Sequence, residues 1–442
     1  MLEETPQTEE IIARVAAVDV GKAEVVCCVR VPDEDRPGRR LQEVASYPTM
    51  TGSLLRMADR LRCLGVTRVV MEATSDYWKP VFYLLEAHGF ETWLVNARDV
   101  KHLPGRPKTD KLDAVWLCKV AERQMLRPSF VPPPPIRRLR DLTRYRADLV
   151  AACSAEKNRA EKLLEDAQIK MSVVVSDIFG VSGRQMMAAL IAGERNPKTL
   201  ARMARGRMRS KIGALEEAFT GYFTDHHAFL LSRMVARVDA LTADIATLDA
   251  RIAAHLDAEL PPHRDAPPSG DAPPSGNAPL SNVDRLAEIP GIATVAAEAV
   301  LAEIGQDMSQ FPTADHLASW ARRVPGVSES AGRRKGNGHT GRGNRYLARA
   351  LGEAAIAAGK TDTFLGERYR RIARRRGRKR AMVAVSRSIL VIIWHLLADP
   401  NARYHDLGSN FYASRTNPEQ NKRNHIRELQ ALGYQVTLTP AV

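Results

Sequence analysis

Cysteine is scarce in this 442-residue chain, and the five cysteines that occur show no pattern of pairing. They are Cys27, Cys28, Cys63, Cys118 and Cys153, an odd number without a Cys-X-X-Cys motif. Secreted domains held by disulfides use even sets of cysteines, and structural zinc sites use cysteines or histidines at short, fixed spacings. The sequence therefore argues against both kinds of framework and suits a reducing cytoplasm.

Long hydrophobic runs and a secretory leader are also lacking. Residues 1–10 are acidic and polar, unlike a signal peptide. The most apolar run, residues 388–398, is too short for a bilayer, which needs about 20 apolar residues. We expect a cytoplasmic protein with no membrane partner. Its 442 residues, 44% of them hydrophobic, suffice for two or three folded domains.

Acidic residues are nearly absent from one segment of the chain. Residues 331–380 contain 16 lysines and arginines and only three acidic residues, so they carry +13 of a net charge of +14. Cations this concentrated are typical of a surface that binds a polyphosphate. We therefore expect nucleic acid to bind in this segment.

Residues 10–125 have the pattern of a mixed α/β domain. Short apolar runs predict strands at residues 14–20, 24–31, 40–47, 67–73 and 91–96. Amphipathic segments predict helices after the third, fourth and fifth strands. Asp19 lies near the end of the first strand and Glu72 near the end of the fourth. In such a sheet, the ends of adjacent central strands and the start of the last helix can converge on one site.

The last helix of this domain begins with two acidic residues. Residues 104–107 contain two prolines and a glycine that disfavour helix, and Thr109 is the predicted N-cap. Asp110 and Asp113 follow, three residues apart on one side of the first turn. Carboxylates this close repel each other, and a divalent cation offsets the repulsion. The alternative is that both acids only stabilise the positive end of the helix dipole.

Taken together, Asp19, Glu72, Asp110 and Asp113 predict a carboxylate site for two Mg²⁺ ions. Two such ions about 4 Å apart activate the attacking oxygen and stabilise the leaving oxygen at a phosphodiester. Each acid alone has a simpler explanation, because acidic residues at strand ends are often only solvated. The prediction therefore depends on all four residues meeting.

Three sequence blocks that carry these acids resemble the DEDD family of insertion-sequence transposases. The blocks are Asp19-Val-Gly-Lys22, Met71-Glu-Ala-Thr74 and Lys108-Thr-Asp-Lys-Leu-Asp-Ala114. The resemblance implies an RNase H-like fold of the RuvC-like group. It also implies that the four acids are metal ligands.

Two long helical segments and a linker follow. Residues 136–256 contain apolar residues at three- and four-residue steps, without a strict heptad. The two helices can pair within the chain as an antiparallel hairpin, or they can form a coiled-coil dimer. Residues 257–282 include a proline-rich hexamer that repeats, which predicts a flexible linker.

The predicted C-terminal domain, residues 283–415, is mainly α-helical. It opens with a helix, a turn at Pro290 and Gly291, and a second helix. This order resembles a helix-hairpin-helix, whose turn offers backbone N–H groups to a phosphate. The alternative is an ordinary helical hairpin.

A turn rich in small and basic residues then carries a serine. Glu329-Ser-Ala-Gly-Arg333 and Thr340-Gly-Arg-Gly-Asn-Arg-Tyr-Leu347 resemble the C-terminal block of the same transposase family. The resemblance implies that Ser330 attacks DNA and forms a covalent phosphoserine link, with Ser328 as the second candidate. Serine needs activation, either by His339 as a base or by metal ions held by the distant acids.

Nine basic residues are the predicted nucleic-acid contacts, because small residues between cations let a backbone approach phosphates closely. They are Arg333, Arg334, Lys335, Arg342, Arg345, Arg375, Arg376, Arg378 and Lys379. For the last four, the alternative is a solvated run of charge. Residues 404–442 are polar and carry no recognisable motif.

We interpret the chain as a DNA transposase or recombinase that cuts and rejoins the strands of an insertion sequence. The resemblance further implies donor and target DNA, a structured guide RNA encoded by the element, and a homo-oligomer, either a dimer or a tetramer. Two alternatives remain. One is a metal-dependent, junction-resolving nuclease without a covalent intermediate, and the other is a non-catalytic nucleic-acid-binding protein.

Overall fold

The computed structural model describes residues 11–36, 38–96, 109–260, 280–326, 328–330, 333–335, 340–341, 343–415 and 418–438. The chain divides into two compact units, Met1–Val131 and Pro132–Val442. The elements of the first unit, in chain order, are β1 (Val15–Val20), β2 (Glu24–Pro32), β3 (Arg40–Pro48), α1 (Thr51–Cys63), β4 (Arg68–Glu72), α2 (Trp78–Ala87), β5 (Glu91–Val95) and α3 (Asp110–Glu122). This order of strands and helices confirms the one predicted from the sequence.

A mixed five-stranded sheet, with strand order β3-β2-β1-β4-β5, is the centre of the first unit. β2 runs antiparallel to β1 and β3, whereas β1, β4 and β5 are parallel. Val15, Ala16, Ala17 and Val18 of β1 are all 0% exposed. Burial on both faces explains why this strand reads as a continuous apolar run and not as an alternating pattern.

Helices cover both faces of the sheet. On one face, α1 and α2 contribute fully buried side chains such as Met57, Leu61 and Leu85. Burying each of these contributes about 1.5–3 kcal/mol. On the other face, α3 packs Ala114, Leu117 and several neighbours against the sheet. The helix that begins with Asp110 is therefore part of the core, and its position relative to the sheet is set by packing.

The cysteines are all free thiols, and Cys63 is the exposed one. Burial raises the pKa of the Cys27 thiol well above its usual range. A hydrogen bond with Cys28, together with burial, does the same for the pKa of Cys118. Cys27 and Cys118 therefore stay protonated at neutral pH and act as apolar core residues, not as nucleophiles.

Two long helices, α4 (Pro134–Asp166) and α9 (Asp225–Glu259), pair antiparallel in the second unit. At one end, Arg138 Nη1 lies 3.3 Å from Glu259 Oε1. At the other end, His227 Nε2 lies 3.3 Å from Asp166 Oδ2. Of the two arrangements that the sequence left open, the structure has the hairpin within one chain.

Short helices cover the end of this hairpin where α4 ends and α9 begins, around buried residues such as Met186, Met187 and Leu190. These helices are α5 (Met171–Val174), α6 (Val181–Ile191), α7 (Pro197–Ala201), a 3₁₀ turn (Gly206–Lys211) and α8 (Ile212–Ala218).

The remaining elements of the second unit are mainly helical. They are α10 (Asn282–Ala287), α11 (Thr294–Ile304), a 3₁₀ turn (Met308–Gln310), α12 (Ala314–Trp320), β6 (Ser328–Ser330), β7 (Arg333–Lys335), α13 (Arg345–Ala358), α14 (Phe364–Arg376), α15 (Arg378–Ala398), α16 (Phe411–Ser414) and α17 (Pro418–Ala431). α11 packs on α4, with Leu139, Ile252 and Ala302 forming a small buried cluster.

Helix α15 contains the apolar run of residues 388–398 and extends ten residues further toward the N-terminus. Its 21 residues are long and apolar enough to cross a membrane by length and composition alone. However, Val385, Ile389 and Ile393 are fully buried inside the protein, and Ser386 donates a 3.0 Å hydrogen bond to the Leu351 carbonyl of α13. Burial of this kind is typical of a core helix in a globular domain.

The Pro290–Gly291 turn joins α10 and α11, so the predicted succession of helix, turn and helix is present. Gly291 has a φ of +91°, which favours glycine. A Cβ at this position would lie 2.2 Å from the Ala354 carbonyl oxygen of α13. The absence of a side chain thus permits close packing of two backbones, which gives Gly291 a structural role in this turn.

Candidate functional site

Asp19 and Glu72 lie on the same face of the sheet. Asp19 of β1 pairs with Val26 of β2, and Glu72 of β4 pairs with Val95 of β5. Val26 and Val95 both belong to the apolar cluster that packs against α3. Because paired residues of neighbouring strands share a face, both acids lie on the side of the sheet that α3 covers. Asp19 comes directly after Val18, and Glu72 comes directly after Met71. Val18 and Met71 form the last pair between β1 and β4, so the two acids follow neighbouring positions of adjacent strands.

Positions 110 and 113 continue the stripe of α3 that faces the sheet. Ala114 and Leu117, which are buried in this interface, come four residues later and so lie on the same side of the helix. The Asp113 side chain is half-buried, whereas that of Asp110 lies outside the described residues. Thr109 occupies the N-cap position as predicted, but its side chain makes no capping hydrogen bond.

Helix α3 runs antiparallel to β1, which brings its first turn toward Asp19. The Cys118 thiol donates to the Val15 carbonyl over 3.6 Å, and the Ile12 amide donates to the Glu122 carbonyl over 3.0 Å. Eight residues of helix from Cys118 back to Asp110 span about 12 Å. Four residues of strand from Val15 to Asp19 span about 13 Å. The start of α3 is therefore level with the carboxyl ends of β1 and β4.

A buried ion-pair cluster fixes the other end of α3. Glu122 is 5% exposed, and its carboxylate lies 2.8 Å from Arg30 Nε and 2.5 Å from Arg40 Nε. These arginines belong to β2 and β3, so the last turn of α3 is tied to two strands. Nothing in the local sequence distinguishes Glu122 from a surface acid, because its partners lie about 80 to 90 positions away.

The donor set at this edge of the sheet suits a hard divalent cation, since carboxylate oxygens are the ligands that Mg²⁺ prefers. Among the side chains that the structure describes, which exclude that of Asp110, no group of three His, Cys, Asp or Glu residues is arranged to hold a metal ion. The structure thus brings Asp19, Glu72 and the start of α3 to one edge. The completed four-carboxylate cage stays a prediction.

Ser330 is the last residue of β6, at the tip of a small hairpin. In the antiparallel ladder it pairs with Arg333, while Ser328 pairs with Lys335. Only two residues, 331 and 332, connect the strands, and they lie outside the described residues. The backbone therefore places the candidate nucleophile opposite a predicted phosphate contact.

The long segment that carries this hairpin leaves and returns at one point. A Cβ on Gly343 would lie 2.9 Å from the carbonyl oxygen of Ala321, so the two backbones are in close contact there. Burial lowers the pKa of the neighbouring Arg323 guanidinium. The two ends of the segment between residues 322 and 343 thus lie next to each other.

A second buried acid, Glu303, anchors the returning end of this segment. It is 1% exposed and receives two hydrogen bonds from Arg144, at 2.7 and 2.8 Å, and a further bond from the Asn344 side-chain amide. Asn344 is also the N-cap of α13 and accepts from the Tyr346 amide over 3.0 Å. The serine-bearing segment is therefore connected through Asn344 and Glu303 to the long helix α4.

Besides Arg144, Arg140 Nε lies 3.4 Å from the Glu303 carboxylate. We expect the substitution Glu303→Gln to lower stability by about 3 kcal/mol, because it leaves these two arginines without their buried counter-charge. The matched control is Glu353→Gln, which removes an exposed pair with Arg349 and should change stability by less than about 0.5 kcal/mol. Thermal unfolding of both variants measures the difference. Equal melting temperatures for the two variants would contradict an anchoring role for Glu303.

The nine predicted nucleic-acid contacts fall into three groups: four whose side chains lie outside the described residues, Arg345, and four exposed residues at the junction of α14 and α15. Arg342 and the side chains of Arg333, Arg334 and Lys335 lie outside the described residues. Arg345 is exposed and donates a 2.5 Å hydrogen bond to the Tyr346 hydroxyl, which raises the pKa of the guanidinium.

The last four predicted contacts form a compact basic surface. Arg375, Arg376, Arg378 and Lys379 are all exposed at the junction of α14 and α15. None of the four forms an ion pair with another described residue. Their charges are therefore available to an anionic partner.

A sheet edge with acidic residues and a strongly basic helical domain fit an enzyme that acts on DNA, and sequence comparison identifies the class as the transposases. A model of the DEDD transposases of IS110 elements, described as "Transposase", matches residues 16–169. The model of the "Transposase IS116/IS110/IS902 family" matches residues 283–370. The chain belongs to the IS110 family of transposases, which confirms the resemblance carried by its sequence blocks.

A relative from Mycobacterium paratuberculosis, "Insertion element IS900 uncharacterized 42 kDa protein", is 26% identical over 417 residues. The alignment covers 88% of this chain and 96% of the relative. The similarity therefore extends over both structural units. As a transposase, the protein binds DNA, and membership of the DEDD family indicates the use of a divalent metal in general.

Proposed function

We propose that this transposase cuts and rejoins DNA through a phosphoserine intermediate, using a carboxylate site on an RNase H-like domain of the RuvC-like group. The observation that carries the proposal is the convergence of Asp19, Glu72 and the first turn of α3 on one edge of a mixed sheet. The ends of neighbouring strands in such a sheet are a common position for a catalytic site.

In this proposal, Asp19, Glu72, Asp110 and Asp113 hold two Mg²⁺ ions. Bound divalent cations lower the pKa of the attacking hydroxyl and offset the charge that develops on the leaving oxygen. The protein contributes the placement of the carboxylates. α3 is held by packing along the sheet and by Glu122 at its far end, which supports a fixed position for its first turn relative to the strand ends.

Ser330 is the proposed nucleophile. Its Oγ attacks the phosphorus of a DNA phosphodiester, so a bond from phosphorus to Oγ forms as the bond from phosphorus to one deoxyribose oxygen breaks. The serine proton goes to a base, and the released deoxyribose oxygen takes up a proton. A strand-end hydroxyl then attacks the phosphoserine, which restores the serine and rejoins DNA. The number of phosphodiester bonds is conserved, so the reaction needs no external energy source.

This chemistry requires the hydroxyl of Ser330 to reach the carboxylates, within one chain or between subunits. A homo-oligomer is therefore part of the proposal. The nine predicted basic contacts provide the charge to hold donor and target DNA. A structured guide RNA encoded by the element is the further proposed partner, and the cytoplasm is the proposed compartment.

An experiment on purified protein tests the RNA partner. We expect RNA that co-purifies with the protein from cells to be enriched in one structured sequence from the insertion element. A DNA substrate that matches this RNA should then be converted to a covalent adduct, whereas a substrate with a scrambled sequence should not. RNA of random cellular origin, with equal adduct formation on both substrates, would contradict guidance by RNA.

The main alternative is a metal-dependent nuclease in which water, not serine, attacks the phosphodiester. It uses the same carboxylates and so shares the same sheet edge. The two mechanisms differ in their products, because hydrolysis leaves no bond between protein and DNA. The second alternative, a non-catalytic nucleic-acid-binding protein, requires that loss of a carboxylate has no effect on DNA strands.

A further inference from the structure

The arginines of helix α14 differ in their ion pairing from one face of the helix to the other. On one face, Arg370 and Arg374 pair with Glu367, at 3.2 and 3.6 Å. On the other face, Arg368, Arg371 and Arg375 recur at three- and four-residue steps and so lie in one row. Within the described part of the chain, none of these three forms an ion pair with a carboxylate. The positive charges of this second face are therefore available to an anionic partner.

The row of arginines lines a cavity of about 670 Å³. The lining residues are Arg368, Arg371, Ile372, Arg375, Arg376 and Tyr412. Four guanidinium groups around one cavity repel each other unless an anion lies between them. Arg375 and Arg376 are among the contacts predicted from the sequence, whereas the other four lining residues carry no signal of this kind.

Tyr412 of α16 holds two of these arginines in place. Its hydroxyl accepts a 2.8 Å hydrogen bond from Arg368 Nη1, and the Arg371 guanidinium carbon lies 4.7 Å from the centre of its ring. Phe364 stacks on the same ring with a centroid distance of 5.5 Å. The tyrosine thus restricts both side chains, so less conformational entropy is lost when a ligand binds.

Arg368 also has an unsatisfied donor. Its Nε is buried and has no hydrogen-bond partner among the described residues. A buried polar group without a partner is destabilising, and a hydrogen bond to a bound group offsets part of that cost. Planar guanidinium groups match the oxygen pairs of phosphates, which single lysines do not.

We propose that this arginine pocket binds successive phosphodiester groups of a polynucleotide strand. The span from Arg368 to Arg375 is about 10 Å along the helix, long enough for two phosphates in succession. Such contacts hold the strand without reading its sequence. The inference rests on the proposed function only in that the protein handles nucleic acid, and it does not depend on Ser330 or on the carboxylates.

The test compares two double variants of the full-length protein that each remove two positive charges. Arg371→Gln with Arg375→Gln removes two pocket arginines. Arg349→Gln with Arg374→Gln removes two arginines that pair with Glu353 and Glu367 outside the pocket. The dissociation constant is measured across a range of salt concentrations for duplex DNA and for single-stranded RNA of equal length.

On the nucleic acid that occupies the pocket, we expect the pocket variant to reduce the slope of log K against log salt by about 1.8 for duplex DNA or about 1.4 for a single strand. The control variant should reduce it by less than half as much. A loss confined to duplex DNA assigns the pocket to donor or target DNA, and a loss confined to RNA assigns it to the RNA. Equal reductions of this slope in both variants on both nucleic acids would overturn the proposal that the pocket binds a polynucleotide strand.

A second measurement does not require the variants to fold. Chemical modification of arginine in the wild-type protein, followed by mass spectrometry, reports which side chains nucleic acid protects. We expect protection of Arg371 and Arg375 and little protection of Arg349 and Arg374. Equal modification of Arg371 with and without nucleic acid would overturn the proposal, whatever the outcome of strand-joining assays.

Discussion

The substitution Asp110→Asn is expected to lower the rate of DNA strand cleavage by about 10³-fold or more while leaving DNA binding nearly unchanged. A neutral amide is a poor ligand for a hard divalent cation, and losing that cation removes several kcal/mol of transition-state stabilisation. Each 1.36 kcal/mol corresponds to a factor of about ten in rate. Glu72→Gln should act similarly, since Glu72 lies on the face of the sheet that is covered by α3, the helix that begins with Asp110. Cleavage of a labelled substrate, measured across a range of Mg²⁺ concentrations, gives the rates.

The matched control for this prediction is Asp59→Asn. Asp59 is an exposed acid of α1, where it lies 3.0 Å from Arg62, and α1 covers the opposite face of the sheet. Its loss should leave the cleavage rate within about a factor of two, because exposed pairs contribute less than about 1 kcal/mol. Thermal unfolding of each variant separates a lost ligand from a lost fold. Full cleavage by folded Asp110→Asn protein would remove the proposed metal site, whereas DNA binding without cleavage by the wild-type protein would favour a purely binding protein.

The substitution Ser330→Ala is expected to eliminate the covalent protein–DNA adduct and strand joining together. Removing the nucleophile of a covalent mechanism commonly reduces turnover by several powers of ten. Ser328→Ala is the control, because Ser328 lies in the same short strand and pairs with Lys335. The adduct is measured as labelled DNA that remains with the protein in denaturing detergent. We expect it in wild-type and Ser328→Ala protein and not in Ser330→Ala protein.

Two outcomes would redirect the interpretation of the serine. An adduct that persists in Ser330→Ala and disappears in Ser328→Ala would move the nucleophile to the neighbouring position. Cleavage at the wild-type rate in Ser330→Ala, with no adduct in any variant, would favour the hydrolytic nuclease. In that case the carboxylate variants should still be inactive, so the two halves of the proposal can fail separately.

The sequence predicts the first unit well because its signals are local. β1 is a continuous apolar run that ends near Asp19, and β4 ends at Glu72, so each strand marks its own acid. The convergence of these acids with α3 also follows from general rules for sheets with helices on both faces. Thr109 shows the limit of such rules, because it occupies the predicted N-cap position but makes no side-chain capping hydrogen bond.

The anchors of both candidate sites were missed because their partners are far apart in the chain. Glu303 binds Arg144, 159 positions away, and Glu122 binds Arg30, 92 positions away. No periodic pattern or short motif distinguishes such an acid from a solvated one. Tyr412 was missed for another reason. It lies in a polar segment with no motif, and it becomes informative only when α16 folds against the arginines of α14.

The most direct test of the proposed chemistry is to identify the residue that carries DNA in the covalent adduct. Wild-type protein is reacted with matching DNA, the adduct is digested with nuclease and protease, and the nucleotide-bearing peptide is sequenced by mass spectrometry. We expect the nucleotide on the Ser330 hydroxyl, in an amount that falls to background when Asp110 is replaced by asparagine. A nucleotide on any other side chain, or a wild-type reaction that cuts DNA and leaves no modified peptide, would contradict the phosphoserine mechanism.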